Sequence, residues 1–137
     1  MSRQGAVQSI NVQDVKRYSS QARVNAPLLS SHDLVSRLNC YEPGQITPMH
    51  IHPNDDEVIL CLEGRGAITL ADRENVPMVP GTLVSVPAGL LHGIAAAADS
   101  RMVVMYTTNA GYTSVRPSTG ADGTDIPLPG ENGFPTP

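Results

Sequence analysis

Three histidines and one glutamate are spaced so that they could share a single metal ion. His50 and His52 are two residues apart, and on a strand residues i and i+2 project from the same face. Glu57 follows a Pro53-Asn54-Asp55-Asp56 turn and opens the next β-prone run, so it is expected to return antiparallel beside the histidine pair. His92 comes much later, after a Pro-Gly turn, where a further strand can complete the set. Three imidazoles and one carboxylate suit Fe, Mn, Ni, Cu or Co, and imidazole also suits Zn. On an octahedral ion four protein ligands leave two positions for a chelating substrate, or for substrate and dioxygen; on a tetrahedral zinc they leave none. His32 falls outside this set, in an expected loop. A lone histidine is more often a packing or surface residue, so the weight rests on four ligand-capable residues occurring together.

The segments around these residues read as short strands. Leu34 to Tyr41 alternates, with Leu34, Ser36, Leu38 and Cys40 on one face and Val35, Arg37, Asn39 and Tyr41 on the other. Further β-prone runs follow at 45–52, 57–62, 67–70, 76–79, 82–86, around His92 and at 102–107. They are separated by Pro43-Gly44, Gly64-Arg65-Gly66, Pro80-Gly81 and Pro87-Ala88-Gly89. Short strands with such regular turn signals indicate an all-β sandwich or barrel. Nothing in this region keeps a helical period. Three parts are expected: an N-terminal arm over 1–30, one β-barrel over 31–107 and a Gly/Pro-rich tail over 108–137. The arm includes a stretch at 11–18 that could form a short helix. The tail holds five glycines and five prolines, too little apolar surface to order itself alone. It is expected to lie over its own barrel or a neighbour's, or to be mobile.

Composition narrows the classes of function. With 137 residues the chain fits one domain. Its 9 basic and 13 acidic residues give a net charge of −4 without blocks of either sign. Nucleic acid is therefore not an expected partner, because phosphate binding leaves a clustered basic footprint. No apolar run approaches the ~18 residues of a membrane span, and the first 13 residues hold no signal-peptide core. The expectation is a cytoplasmic protein that keeps Cys40 and Cys61 as reduced thiols.

The same residues carry a family resemblance. Gly44, five residues, His50-Ile51-His52, four residues, Glu57, six residues and Gly64 reproduce the first signature motif of the cupin superfamily. Gly81, five residues, Pro87-Ala88-Gly89, two residues and His92 reproduce the second. Two positions depart from it: Ala96 stands where the motif ends in asparagine, and Thr82 where an aspartate is frequent. Neither is a family metal ligand. The sequence thus resembles a small, single-domain, RmlC-like cupin, and the flanking strands extend the likeness to about 34–107. The resemblance implies a double-stranded β-helix, or jelly-roll, barrel with one divalent transition metal on His50, His52, Glu57 and His92, and with Fe, Mn or Ni favoured. It also implies chemistry among dioxygenases, decarboxylases, isomerases and lyases, and a homodimer formed through outer or N-terminal strands.

Strand parity from Glu57 places Ile59 and Cys61 on the ligand face, so a mostly apolar substrate pocket is expected around Ile59, Cys61 and Met105. Arg37, Asn39 and Tyr41 either clamp an anion there or face solvent or an interface; alternation does not choose. Asp55 and Asp56 read as turn residues and not as a catalytic pair, and a buried structural role is the commoner fate for Cys61. The leading expectation is a metal-dependent, dioxygenase-like enzyme on a small organic substrate. The alternatives are a lyase or isomerase, or a small-ligand-binding or sensor protein without turnover.

Overall fold

In the computed structural model, which describes residues 5–117 and 125–126, consecutive strands cross back and forth between two antiparallel sheets. The strands are β1 (Val24–Ser30), β2 (Leu34–Tyr41), β3 (Ile46–His50), β4 (Glu57–Gly64), β5 (Gly66–Leu70), β6 (Val76–Met78), β7 (Leu83–Val86), β8 (His92–Ala96), β9 (Met102–Asn109), β10 (Arg116–Pro117) and β11 (Asp125–Ile126). The larger sheet runs β1-β2-β9-β4-β7, the smaller one β3-β8-β5-β6, and β10 pairs with β11. From β2 to β9 the chain changes sheet at almost every connection. This is the jelly-roll arrangement expected from the sequence. Among the described residues the only helical piece is a single 3-10 turn, Val12–Asp14, and no helix is long and apolar enough to cross a membrane.

Alternation builds the core. On β4, Glu57, Ile59 and Cys61 point between the sheets, while Val58, Leu60 and Leu62 point outward. On β9, Met102, Val104 and Tyr106 point inward, and Val103 and Met105 outward. The inner faces bury Tyr41, Ile59, Ile68, Met78 and Met102 completely. Each of the isoleucines and methionines among them contributes about 1.5–3 kcal/mol relative to exposure.

Two expectations change here. Glu57 does not return beside the histidine pair. β3 pairs with β8 in one sheet, and β4 pairs with β7 and β9 in the other. The turn at 53–56 is a sheet-to-sheet crossing and not a hairpin, so Glu57 approaches the histidines across the barrel interior. The segment expected as an arm also enters the barrel, since β1 adds a strand to β2. Ahead of it, Val12, Val15 and Tyr18 lie on the outer face over Leu38, Cys40 and Val103. Lys16 ties this cover to Glu63 at 3.0 Å, and the Arg101 guanidinium stacks 4.0 Å from the Tyr18 ring.

The corner between β4 and β5 depends on glycine. Gly64 has φ +71°, and a Cβ there would overlap the Arg101 carbonyl; at Gly66 it would meet the Ala95 carbonyl. The two sheets can therefore close tightly only without side chains at this bend. The outermost strands are blunted with proline: Pro27 in β1, Pro48 in β3 and Pro77 in β6, with Pro87 directly after β7. A proline offers no N–H to an incoming strand, which disfavours edge-to-edge growth.

Candidate metal centre

His50, His52, Glu57 and His92 meet at one point in the barrel, with one ligand-capable atom from each and all four within 4.8 Å of one another. His50 ends β3 and lies directly across from His92, the first residue of β8. The register shift between Thr47 and His50 frees the strand around Pro48, and bulges of this kind re-aim side chains beside functional sites. His52 sits just past the strand, where Ile51 bridges to Val115. Glu57 comes from the opposite sheet. All four side chains are buried, with residue exposures of 8% or less.

Hydrogen bonds fix how each ring is turned. The Nδ1 of His50 lies 2.7 Å from the Pro48 carbonyl, that of His52 2.9 Å from the Thr113 carbonyl, and that of His92 2.8 Å from the Leu90 carbonyl. A carbonyl only accepts, so each Nδ1 carries the proton and donates it. Each Nε2 is then left as a lone pair aimed at the centre. Metal-binding histidines are oriented by such outer hydrogen bonds.

The inward atoms crowd in a way that calls for a cation. The Nε2 atoms of His50 and His52 are 3.1 Å apart, and His92 Nε2 is 3.0 Å from Glu57 Oε1. In the tautomers fixed by the carbonyls, both are contacts between two acceptors. Adjacent ligands of an ion with bonds of about 2.1 Å, set near a right angle, are likewise about 3 Å apart. The donor set and its spacing therefore fit a transition-metal ion. Without one, a proton must fill part of the gap. Burial alone pushes the imidazole of His92 down, but the hydrogen bond and charge of Glu57 outweigh it and the pKa rises. Burial would likewise raise Glu57, yet the hydrogen bond from His92 and the neighbouring imidazoles bring it below its ordinary value. Burial, with His92 and His52 nearby, lowers His50 to about 4, so it stays neutral and ready to bind a metal at ordinary pH.

The cavity over the ligands is walled by other residues than those expected from parity. Ile94 and Pro48 line it, but so do Asn39, Thr47, Ser114, Tyr106, Tyr112, Arg23 and Arg116. Ile59 and Cys61 do share the inner face with Glu57, yet they pack into the core further along the strand and do not reach the cavity. Burial raises the thiol pKa of Cys61, which keeps it protonated. Met105 is on the other side of the sheet, among Leu38, Cys40 and Val103, because Tyr106 takes the inward position on β9. Arg37 and Tyr41 point inward but stand behind the lining: Arg37 Nε donates to Asn25, and the Tyr41 hydroxyl is 2.7 Å from Thr47 Oγ1. Of that strand, Asn39 alone reaches the cavity wall. Asp56 accepts from the Ala88 N–H at 2.9 Å and Asp55 from Asn109 at 3.2 Å, as turn residues should.

Four of the unanticipated lining residues come from beyond the expected barrel. Arg23 precedes β1, and Tyr112, Ser114 and Arg116 follow β9, all outside the segment read as barrel. The stretch expected as tail runs back across the barrel mouth, with Tyr112 buried in the core. Its rings meet edge to face, His52–Tyr112 at 5.3 Å and Tyr106–Tyr112 at 6.5 Å. The rest of that tail, 118–124 and 127–137, and residues 1–4 lie outside the described residues.

Comparison with known proteins agrees with this picture. The Cupin domain family matches the sequence over residues 37–108, which include all four ligand candidates. No curated protein sequence matches the chain. Among solved structures, TT1209 from Thermus thermophilus is 24% identical at a TM-score of 0.70, over 75% of this chain and 97% of that one. The polyketide cyclase RemF from Streptomyces resistomycificus is 17% identical at a TM-score of 0.72, over 86% and 90%. KdgF from Halomonas sp. is 16% identical at 0.64, over 75% and 94%. At these identities the likeness speaks for the shared fold.

Proposed function

The chain belongs to the cupin domain family, and from that premise we propose that it is a metal-dependent enzyme, dioxygenase-like, acting on a small organic substrate that chelates the metal. The observation that carries this reading is the pair of acceptor-to-acceptor contacts, 3.1 and 3.0 Å, converging on one buried point. His50, His52, Glu57 and His92 would hold one divalent ion, with Fe, Mn or Ni favoured by the imidazole-rich set. When bound, the ion supplies Lewis-acid polarisation of a coordinated oxygen and, if redox-active, electron transfer. The protein does the rest. The three backbone carbonyls keep each imidazole turned inward, Glu57 offsets part of the ionic charge, and the cavity wall limits water. Burial raises the pKa of the Tyr106 hydroxyl and lifts Tyr112 to about 12. Both stay protonated and are bonded to each other at 3.2 Å, so one hydroxyl hydrogen is held between them and the other can be donated to a substrate oxygen.

Those two hydroxyls favour a second reading, a redox-neutral lyase or isomerase, and the fold shared with a polyketide cyclase lends it support. Purified protein grown with Fe, Mn and Ni should carry about one ion per chain by elemental analysis. A trace amount would overturn the enzyme reading. Oxygen uptake by loaded protein with diketones, enediols or thiols should follow if it is an oxygenase. Turnover without uptake would point to the lyase or isomerase, and binding without turnover to a sensor.

The proposed setting is the cytoplasm and the proposed assembly a homodimer. Leu34, Val58 and Leu83 are 51%, 42% and 64% exposed on the outer side of the larger sheet, apolar groups that a second copy would cover. Light scattering should therefore give twice the chain mass of 14.5 kDa. A monomeric mass would exclude the dimer.

A further inference from the structure

We propose that Thr47 and Tyr112 are the substrate-positioning donors of the cavity, which therefore takes a ligand presenting acceptor oxygens to them, a carbonyl or an enolate. This deepens the proposal above and rests on its reading of the ligand set. Both residues line the cavity together with His50, His52 and Glu57. Their hydroxyls are the ends of two chains of side-chain hydrogen bonds that share one origin, and the chemistry of that origin fixes which way every hydrogen points.

The origin is Arg37. Its Nε lies 2.5 Å from the side-chain oxygen of Asn25, and a guanidinium only donates, so the Asn25 amide must turn its oxygen that way. The Asn25 amide nitrogen then faces forward and gives its two hydrogens to Asn39 Oδ1 and to the Tyr106 hydroxyl oxygen, at 2.5 and 3.0 Å. With its oxygen taken, Asn39 donates through Nδ2 to the Tyr41 hydroxyl at 3.2 Å. A phenol oxygen has two in-plane positions, one for a lone pair and one for its hydrogen. Asn39 fills the first, so the hydrogen of the fully buried Tyr41 goes to Thr47 Oγ1, 2.7 Å away. The other branch repeats the pattern: Tyr106 accepts from Asn25 and gives its hydrogen to Tyr112 at 3.2 Å. Hydroxyls that each accept once and donate once polarise one another along the chain. Thr47 and Tyr112 are each left with a hydrogen, and neither has a further side-chain partner among the described residues. A ligand oxygen beside the ligand set satisfies both hydrogens, whereas a ligand N–H or O–H leaves them without an acceptor, which is costly in a buried site. Arg37 and Asn25 are positioning residues that act through the two chains.

Calorimetric titration of the metal-loaded full chain with acetylacetone and with its enaminone, in which an N–H replaces one oxygen, tests the assignment. Acetylacetone should bind at least about tenfold tighter. A metal ion has a preference of its own between the two, so substitutions decide. Thr47→Val and Tyr112→Phe each delete one terminal hydrogen and keep the shape. Each should cut the preference severalfold with metal content unchanged, and either stands alone if the other does not fold. Asn25→Asp tests the polarity itself. A carboxylate cannot donate, so Tyr106 and Asn39 must turn their hydrogens toward it, and both chain ends change from donor to acceptor. The preference should then drop below that of either single deletion. In a Thr47→Val/Tyr112→Phe background Asn25→Asp should change nothing further, whereas a mere effect of the added charge would persist. The titrations are repeated on chelator-treated protein, where a smaller preference with the same dependence on the variants should remain. No binding of acetylacetone, equal binding of the two probes, a preference untouched by Thr47→Val and Tyr112→Phe, or an Asn25→Asp effect that survives in the double variant would overturn the inference. Protein that takes up no metal but keeps the variant-dependent preference would overturn the metal reading alone.

Discussion

His52→Ala is expected to lower metal affinity at least about 100-fold while the barrel stays folded. Changing only the groups that orient a ligand typically costs about 10–100-fold, so removing a ligand outright should exceed that. His52 is 4% exposed and its Nδ1 is already held by the Thr113 carbonyl. Its Nε2 therefore has one direction available, toward the other three ligands. The apoprotein should tolerate the change, because the alanine also removes the unfavourable contact with His50 Nε2. Elemental analysis and thermal melts with and without metal measure both halves of the expectation. Metal at about 100 times its Kd adds about 2.7 kcal/mol to the native state. For a chain of this length that raises the Tm of the wild type by on the order of 10 °C, and the rise should vanish in the variant. Full metal retention would remove His52 from the ligand set. Collapse of the fold would make the ion structural.

Gly64→Ala should be among the most damaging single substitutions in the chain. Alanine at φ +71° is strained in itself, by about 1–2 kcal/mol. The larger effect is steric, since the new methyl group would overlap the Arg101 carbonyl and press on Met102 Cα. Both are backbone atoms that no rotamer change can move aside. Gly64 is paired with Met102 where β4 meets β9, so relief requires parting the two strands at the centre of the larger sheet. The expected loss exceeds about 4 kcal/mol, a size seen only with a specific steric or packing failure. Gly44→Ala is the control. It has a similar φ of +78° but nothing within 4 Å of the added carbon, so only the conformational part, about 1–2 kcal/mol, should appear. Urea unfolding midpoints measure both. Equal losses would show that the corner relaxes more easily than its packing implies.

The contrast between these two glycines also shows what could be read in the chain. Both occupy motif positions and both mark a turn, yet only the folded structure tells which one has a carbonyl against it. The strands were legible because period-two alternation in Leu34 to Tyr41 and the β-prone composition of Met102 to Thr107 are local signals. The four residues that cluster were legible for a similar reason: fixed spacing between residue types survives in one dimension. What escaped was the partner of each strand. Glu57 reads as the start of a hairpin after its turn, and nothing local says that the chain changes sheet there. Arg23, Tyr112, Ser114 and Arg116 escaped because long-range closure brings them to the cavity, and no motif marks them. Parity places Met105 correctly only once Tyr106 is known to face inward, which depends on the register with β2 and β4.

The seat of His52 on the Thr113 carbonyl has a consequence for how the centre comes into being. The two groups are 61 residues apart in the chain, and Glu57 and His92 are 35 apart. No fragment shorter than the whole barrel holds the four donors in their final orientation. During synthesis the first three ligands are exposed on the nascent chain well before Thr113 has left the ribosome. A chain that has not yet closed can offer them only as floppy, loosely competing donors. Tight capture of a metal ion by these four donors would therefore be a late event, marking a chain that has finished folding.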